Sequence, residues 1–181
     1  MGRWQLAVGI LYHVLQSMTA NSVRAGWGEP VIQSAATALI EFAYAHGVPI
    51  VITQGLRTIA EQDGLYAQGR TKPGQIVTNA KGGYSYHNFD VAIDFALLLP
   101  DGSVSWDIRR DGDGDGIADW SEVVADANRI GWEWGGDWTS FKDLPHFQMD
   151  FGLSTSDYRA GKRPTQVQLN AVTEKIAQSI Q

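Results

Sequence analysis

Hydrophobic and polar residues follow one another in patterns that predict helices near both ends of the chain. Apolar residues recur at helical spacing from Pro30 to about Ala45, and Pro is favoured in a first helical turn, so a helix ending before Gly47 is predicted. Residues 4–18 show a similar spacing with polar interruptions, which favours an amphipathic N-terminal helix. A short signal-peptide core behind Arg3 is the alternative interpretation of that stretch.

Two apolar runs in the first half of the chain predict buried strands. Residues 48–53 read VPIVIT and residues 91–99 read VAIDFALLL, and both runs contain β-branched side chains. In the second run, Ala92, Asp94 and Ala96 share one face of the strand, where the small alanines leave room beside the carboxylate. Burial of an ionised Asp94 costs several kcal/mol unless the carboxylate is paired or bound to a metal.

The remaining patterns add helices, a further strand and a long loop. Thr58 and Glu61 form a capping-box pattern that opens a helix, and Gly69 closes it. Also predicted are a loop over residues 70–86, a helix over 121–129 that stops at Gly131, a strand over 146–151 and a helix after Pro164. We therefore expect an α+β fold, a single domain over residues 1–181 with a small antiparallel sheet flanked by helices.

Composition and charge narrow the function classes. The chain has no cysteine, which excludes disulfide scaffolds, thiol nucleophiles and cysteine-ligated metals. Residues 101–126 hold eight acidic and two basic side chains, so this segment accounts for the whole formal net charge of −6. A nucleic-acid partner is not expected because there is no basic stripe. No membrane span is expected either, because no run of 18 apolar residues occurs.

The acidic segment matches the calcium-binding loop of an EF-hand. The expected oxygen ligands are Asp111, Asp113, Asp115, the carbonyl of Ile117, Asp119 and Glu122. Gly116 stands where such a loop turns sharply. The preceding residues, SVSWDIRR, form a poor helix, so we expect a lone EF-hand-like loop at residues 111–122 that binds Ca²⁺ in a structural or regulatory role. A solvated acidic turn without a cation is the alternative.

Two histidines and the carboxylate of Asp94 predict a second metal site. His87 precedes Asp94 by seven residues, and His146 follows Asp143 by three. Two His and one Asp are three protein ligands, the number that a catalytic zinc uses while it keeps a position for water. A further carboxylate next to a ligand, itself not bound to the metal, is what a zinc hydrolase needs to take the proton of that water. The alternative is that Asp94 pairs with an arginine and that both histidines are ordinary.

Several separated segments carry a resemblance to a known family. They are SYHNFDVAID at residues 85–94, WGGDW at 134–138, FKDLPHF at 141–147, and the elements LRT, EQ, LY and GRTKPG between residues 56 and 74. In this order they resemble the M15 family of zinc peptidases over about residues 28–165. The family contains D-alanyl-D-alanine carboxypeptidases and, closer to this chain, L-alanyl-D-glutamate endopeptidases that serve as phage endolysins and bacterial wall hydrolases.

The resemblance assigns roles to residues in these segments. It implies that zinc is bound by His87, Asp94 and His146. It further implies that Asp143 is the catalytic base and that Arg57 steadies the substrate carbonyl and the oxyanion formed from it.

The chain departs from the family pattern at two positions. Asp90 stands where the family usually has Gly, which leads us to expect an extra carboxylate near the zinc. Leu56 replaces a common Tyr before the arginine and affects substrate packing more than chemistry.

Further residues are candidates for substrate contact. They are Gln62, Tyr66, Ser85 and Trp134. For Gln62 and Tyr66, which lie four apart on a helix, simple packing is an equal alternative. Ser85 is expected to orient the metal site by hydrogen bonding, and packing is the more common role of a tryptophan such as Trp134.

These features together predict a zinc-dependent peptidase that cleaves the stem peptide of peptidoglycan, at the L-Ala–D-Glu bond. Alternatives are a D-Ala-D-Ala carboxypeptidase and, from another class, a calcium-stabilised wall-binding module without catalysis. We expect a monomer that acts as a phage endolysin, made in the host cytoplasm and released to the wall. A secreted bacterial wall enzyme is the alternative.

Overall fold

The fold consists of helices packed around one small sheet. The computed structural model describes residues 30–179, so the prediction for residues 4–18 lies outside the described residues. The helices are α1 (Pro30–Ala45), α2 (Ile59–Ala67), α3 (Asp119–Ile130), α4 (Thr155–Arg159) and α5 (Gln166–Ser179). The strands are β1 (Ile50–Gln54), β2 (Ala92–Leu98), β3 (Val104–Ser105), β4 (Glu133–Trp134) and β5 (His146–Gln148).

The strands form one antiparallel sheet in the order β1-β2-β5-β4, and β3 pairs with the far end of β2. This arrangement, with helices packed on the sheet, confirms the predicted α+β class. Strand β2 is central, and its Asp94 lies directly opposite His146 of β5. Two residues that are far apart in sequence thereby become cross-strand neighbours, whose side chains are close enough to interact.

The core lies on the face of β2 opposite Asp94. Ile93, Phe95 and Leu97 on that face are at most 1% exposed. The Phe95 ring stacks on Phe147 of β5 at 5.0 Å and meets Trp120 of α3 at 4.3 Å. The alternation predicted for β2 is therefore confirmed, since the large apolar side chains lie on one face, in the core, and Asp94 lies on the other face.

Helix α2 begins as its sequence predicts. Thr58 Oγ1 accepts a hydrogen bond from the Glu61 amide at 3.2 Å, and the Glu61 carboxylate accepts one from the Thr58 amide at 2.8 Å. The helix ends at Ala67, just before Gly69, whose φ of +71° suits a residue without a side chain. The predicted long loop over residues 70–86 extends over residues 70–85, because Tyr86 already begins a 3₁₀ turn. Lys72 in this loop forms an isolated bridge with Gln68 at its beginning.

The end of the sheet differs from the prediction. Strand β5 has three residues, where the sequence pattern predicts six, because Gln148 pairs with Ala92 and Glu133, the first residues of β2 and β4, and the ladder ends there. The short helix α4 that follows was not predicted. It is opened by a second capping box, in which Ser154 and Asp157 exchange backbone and side-chain hydrogen bonds. Within residues 30–179, no helix has both the length and the apolar character needed to cross a bilayer.

Candidate active site

A sharp turn before β2 brings His87 beside Asp94. His87 lies in a 3₁₀ turn, Tyr86–Phe89, and Asp90 then adopts a left-handed conformation with φ +59° and ψ +36° before the strand begins. Glycine adopts this conformation most easily, and Asp is among the few other residues that tolerate it. The Gly that the resemblance implies at this position would adopt the same conformation without strain. The carboxylate of Asp90 does not belong to the metal-competent group below, and the expectation of an extra carboxylate near the zinc stays a prediction.

Three donor atoms converge on the face of the sheet that carries Asp94. His87 Nε2 lies 3.1 Å from His146 Nδ1, and Asp94 Oδ1 lies 3.2 Å from the first and 3.3 Å from the second. Donors bound at about 2.0–2.1 Å to a tetrahedral zinc are about 3.3–3.4 Å apart, so this triangle is close to the size that zinc requires. The group is the His-Asp-His set predicted from the sequence.

Each histidine has one ring nitrogen among the three converging donors, the inner nitrogen, and one that points away from them, the outer nitrogen. The hydrogen bonds of the outer nitrogens show that these carry a proton. His87 Nδ1 donates to the carbonyl of Gly55 at 2.9 Å. His146 Nε2 lies 3.3 Å from Gln148 Oε1, while the Gln148 amide donates to the carboxylate of Glu133 at 3.3 Å. With their outer nitrogens protonated, both rings can turn an inner lone pair towards a metal ion, as histidine ligands do. The two inner nitrogens and the carboxylate oxygen then form a donor set for one cation.

Asp94 is held ionised by its surroundings. Burial favours the neutral acid, but hydrogen bonds with His146 and His87, and their charge, outweigh burial and hold the pKa of Asp94 well below its usual range. Its second oxygen, Oδ2, accepts from Arg57 Nη2 at 3.3 Å. The sequence left open whether Asp94 pairs with an arginine or belongs to a metal site. The structure shows one oxygen facing Arg57 and the other facing both histidines.

Gln62 holds Arg57 in place. The Arg57 Nη1 group donates to Gln62 Oε1 at 2.9 Å, and the Gln62 amide donates to the carbonyl of Ala80 at 2.7 Å. Gln62 is 0% exposed, which corrects its assignment as a substrate-contacting residue. Arg57 Nε is buried and has no acceptor among the described residues. Gln62 therefore links Arg57 to the long loop, while Arg57 retains an unused donor.

An open cavity of about 650 Å³ lies over the three donors. Its wall includes Arg57, Ser85 and Asp143, and Trp138, whose ring is 5.1 Å from that of His146. Of the four residues predicted to contact substrate, Ser85 alone lines this cavity.

Tyr66 and Trp134 lie outside the cavity wall. The Tyr66 ring lies under the guanidinium of Arg70 at 4.0 Å. Trp134 Nε1 donates to the carbonyl of Leu144 at 2.7 Å, which fastens the segment between Asp143 and His146. These contacts give both side chains a packing role, and their assignment as substrate contacts stays a prediction.

Asp143 faces the cavity from a tightly packed turn. Burial and the negative charge of Asp94 raise the pKa of Asp143, against the opposing influence of His146. Its amide donates to the carbonyl of Gly135 at 3.1 Å. A Cβ at position 135 would lie 2.5 Å from the Asp143 carbonyl oxygen, so only glycine fits in this part of the WGGDW motif. A carboxylate with a raised pKa beside a metal-competent group is suited to accept a proton.

The sequence analysis missed the outer partners of the histidines. Gln148 follows His146 by two residues, so both point to the same face of β5, and Glu133 is directly across from Gln148 on β4. The period of a strand is a signal that predicts the first of these neighbours. The second depends on strand pairing, which no local pattern in the chain reveals.

The acidic loop adopts a compact conformation. Both carboxylate oxygens of Asp111 accept loop amides, from Gly114 at 2.8 Å and from Gly116 at 3.1 Å, and Gly116 has the φ of +89° that the sharp turn requires. Two overlapping groups each bring one oxygen per residue within 4.8 Å of the others: Asp111, Asp113 and Asp115, and Asp113, Asp119 and Glu122.

Glu122 in this loop has an unsatisfied oxygen. Its Oε2 is buried and has no hydrogen-bond partner in the described part of the chain. Burial and the charges of Asp115 and Asp113 raise the pKa of Glu122. Asp119, by contrast, is engaged by the Gly112 amide at 2.7 Å and by Arg110 at 3.3 Å.

Comparison with known proteins gives concordant matches. A family model described as D-alanyl-D-alanine carboxypeptidase, of the M15 peptidases, matches residues 78–149. The peptidoglycan L-alanyl-D-glutamate endopeptidase CwlK of Bacillus subtilis is 54% identical over 120 residues, which are 66% of this chain and 72% of that protein. The L-alanyl-D-glutamate peptidase of Listeria phage A118 is 28% identical over 130 residues, 71% of this chain and 41% of the phage protein. The match with a crystal structure of the Serratia marcescens L-Ala D-Glu endopeptidase ChiX has 27% identity and a TM-score of 0.43. It covers 67% of this chain and 79% of the ChiX chain.

Proposed function

Since the chain belongs to the M15 family of zinc-dependent peptidases, we propose that it hydrolyses the L-Ala–D-Glu bond in the stem peptide of peptidoglycan. The observation that carries the proposal is the convergence of three metal donors, Asp143 and Arg57 on one open cavity. Both curated relatives described above are named for the same bond.

The donor set fits zinc, and we propose that the ion is bound by His87 Nε2, His146 Nδ1 and Asp94 Oδ1. When bound, the ion would supply a Lewis acid for the scissile carbonyl and lower the pKa of the attacking water. The protein contributes the geometry of the donors, since Gly55 and Gln148 hold the two rings in the required tautomers. The cysteine-free chain offers only such nitrogen and oxygen ligands.

Asp143 and Arg57 perform the remaining chemistry in this proposal. Asp143 takes a proton from the water as the water oxygen bonds to the carbonyl carbon. It returns that proton to the D-Glu nitrogen as the C–N bond breaks, so atoms and charge balance. Arg57 donates to the carbonyl oxygen on which negative charge develops, and loss of one such donor typically costs about 10²–10³ in kcat.

A D-Ala-D-Ala carboxypeptidase is the second candidate, because the matching family model carries that description. The two activities differ in their products. The endopeptidase leaves L-Ala on the glycan and exposes a new D-Glu amino terminus, whereas the carboxypeptidase releases only free D-Ala. The non-catalytic wall-binding alternative is disfavoured, because the chain belongs to a peptidase family and Asp143 is present beside the donors.

The test is digestion of purified sacculi with added Zn²⁺, followed by mass analysis of the products. We expect peptides that begin at D-Glu. The Asp143→Asn variant should bind zinc as tightly as the wild type and release at least about 10²-fold less product, because it lacks the proton acceptor. Release of D-Ala alone would support the carboxypeptidase instead, and the absence of any product with zinc bound would refute both activities.

We also propose that the loop at residues 111–122 binds Ca²⁺. The supporting observation is the buried, unpartnered Oε2 of Glu122, which faces the repulsion of neighbouring carboxylates. In an EF-hand this last position of the loop supplies a bidentate carboxylate. A divalent cation would satisfy the oxygen and remove the repulsion, whereas a solvated turn would leave both in place.

The biological setting proposed is lysis by a phage endolysin, made in the host cytoplasm and released to the wall. The relative from Listeria phage A118 supports this setting, and the relative from Bacillus subtilis supports the alternative of a bacterial wall enzyme. Expression inside a host cell distinguishes them. An endolysin should lyse the cells only after the membrane is permeabilised, whereas an exported enzyme reaches the wall unaided.

A further inference from the structure

Two cations share one exposed tyrosine at the edge of the cavity. The Tyr84 ring lines the cavity and is 42% exposed. The guanidinium carbon of Arg159 lies 3.8 Å from the centre of this ring, and Lys81 Nζ lies 4.8 Å from it. We call Lys81, Tyr84 and Arg159 the cationic rim.

Within residues 30–179, neither charge of the cationic rim has an ion-pair partner. Asp157, on the same helix as Arg159, is bound to Lys162 at 2.6 Å. Arg159 uses its Nε to donate to the Thr155 carbonyl at 3.3 Å. A guanidinium stacked on an aromatic face still presents its edge, with a planar fork of donors that matches a carboxylate.

Hydrogen bonds connect the cationic rim to the metal donors. The Tyr84 amide donates to the Lys81 carbonyl at 3.0 Å, and the Gly83 amide donates to Asn88 Oδ1 at 2.9 Å. Asn88 belongs to the same 3₁₀ turn as His87 and also donates to the Arg57 carbonyl at 2.8 Å. The position of Tyr84 is therefore set by the turn that positions a metal donor.

The cationic rim places two positive charges against a ring that lines the cavity. A negatively charged group of a substrate in the cavity is attracted to this rim. The stem peptide carries such a group beside the bond in question, because D-Glu is linked onward through its γ-carboxyl and keeps a free α-carboxylate.

We propose that Lys81 and Arg159, stacked on Tyr84, form a subsite for a free carboxylate of the stem peptide. This inference rests on the proposed function. The carboxylate belongs either to D-Glu or to the side chain of a diamino acid at the third position, and both present the same chemistry. Binding there would orient the peptide with its D-Glu side towards the rim.

The test uses matched soluble stem peptides, all amidated at the C-terminus, that carry lysine at the third position and either D-Glu or its α-amide at the second. The wild type should have a kcat/KM for the D-Glu peptide that is about tenfold or more higher than for the α-amide peptide. Loss of one charge-assisted hydrogen bond has an effect of this size. Arg159→Gln and Lys81→Gln should raise KM for the acid with little change in kcat, and should not affect the amide. A third peptide, with α-amidated D-Glu and diaminopimelate at the third position, shows whether the side-chain carboxylate is the one bound.

Control variants separate this role from general effects. Lys175→Gln on α5 removes a positive charge away from the cavity wall and should leave the preference intact. Tyr84→Phe keeps the ring and should retain the preference, whereas Tyr84→Ala should reduce it. A wild type that treats all three peptides alike, or rim variants that slow all three equally, would overturn the subsite while the peptidase activity stands. No cleavage of any peptide or of sacculi by the wild type would overturn the proposed function itself.

Discussion

Among the single residues, the candidate site depends on side chains that hydrogen-bond to the metal donors on the side away from the metal position. His146 is one of three inner donors, and its ring is oriented by Gln148, which is itself held by Glu133. Such outer partners fix the tautomer and the basicity of a ligating histidine. The metal affinity of this site is therefore set partly by residues that never meet the ion.

Replacement of Gln148 by Leu should weaken zinc binding about 10–100-fold, because His146 would lose the acceptor that holds its Nε2 proton. Competition with a chromophoric chelator measures this affinity without any assay of activity. The double swap Gln148→Glu with Glu133→Gln keeps an acceptor on His146 and should restore most of the binding. Wild-type affinity in Gln148→Leu, or no recovery in the swap, would contradict the role.

At the scale of elements, the short helix α4 carries Arg159 and depends on its first turn. Asp157 accepts from Ser154 at 2.6 Å and from Lys162 at 2.6 Å, and these hydrogen bonds, Lys162 first, lower the pKa of Asp157 to about 2. A carboxyl whose pKa is lower in the folded than in the unfolded chain stabilises the fold while it is ionised.

Asp157→Asn should therefore destabilise the protein above about pH 4, the usual pKa range of an unfolded Asp. The difference from the wild type should shrink as the pH falls from about 4 towards 2, because the wild-type carboxyl then becomes protonated and loses its advantage. Urea unfolding of both proteins across pH 2–6 measures the difference. An equal difference at both ends of this range would show that the charge of Asp157 is not its source.

The elements also show where prediction from sequence succeeds and where it stops. Helix α1 and strand β2 follow from spacing alone, because each has one face in the core. Strand β5 is shorter than predicted, because its ladder ends where its partners β2 and β4 begin, and strand pairing is not visible in the local sequence. The burial of Gln62 depends on how the long loop folds over α2, which only the tertiary structure determines.

At the scale of the whole molecule, the acidic loop is joined to the core. Helix α3 begins inside the loop at Asp119, and its Trp120 and Val123 are at most 2% exposed. Trp120 contacts Phe95 of β2, the strand that carries Asp94. A cation that orders the loop would therefore stabilise the beginning of a core helix, and through it the sheet.

Removal of Ca²⁺ with a calcium-selective chelator should lower the melting temperature. At a free concentration of 100 times Kd, a bound ion contributes about 2.7 kcal/mol, which corresponds to about 5–10 °C for a chain of this size. Glu122→Gln should abolish most of this response, whereas Asp101→Asn, outside the loop, should leave it intact. An unchanged melting temperature on chelation would refute a structural calcium site.

The pairing of Asp94 with His146 across β2 and β5 has a topological consequence. The two residues lie 52 positions apart along the chain, yet their side chains meet at 3.3 Å. A metal ion held between them would close the intervening chain into a ring, and a link of that span restricts the unfolded chain far more than the native sheet. In a protein without cysteine, such an ion would act as a reversible counterpart of a disulfide bridge.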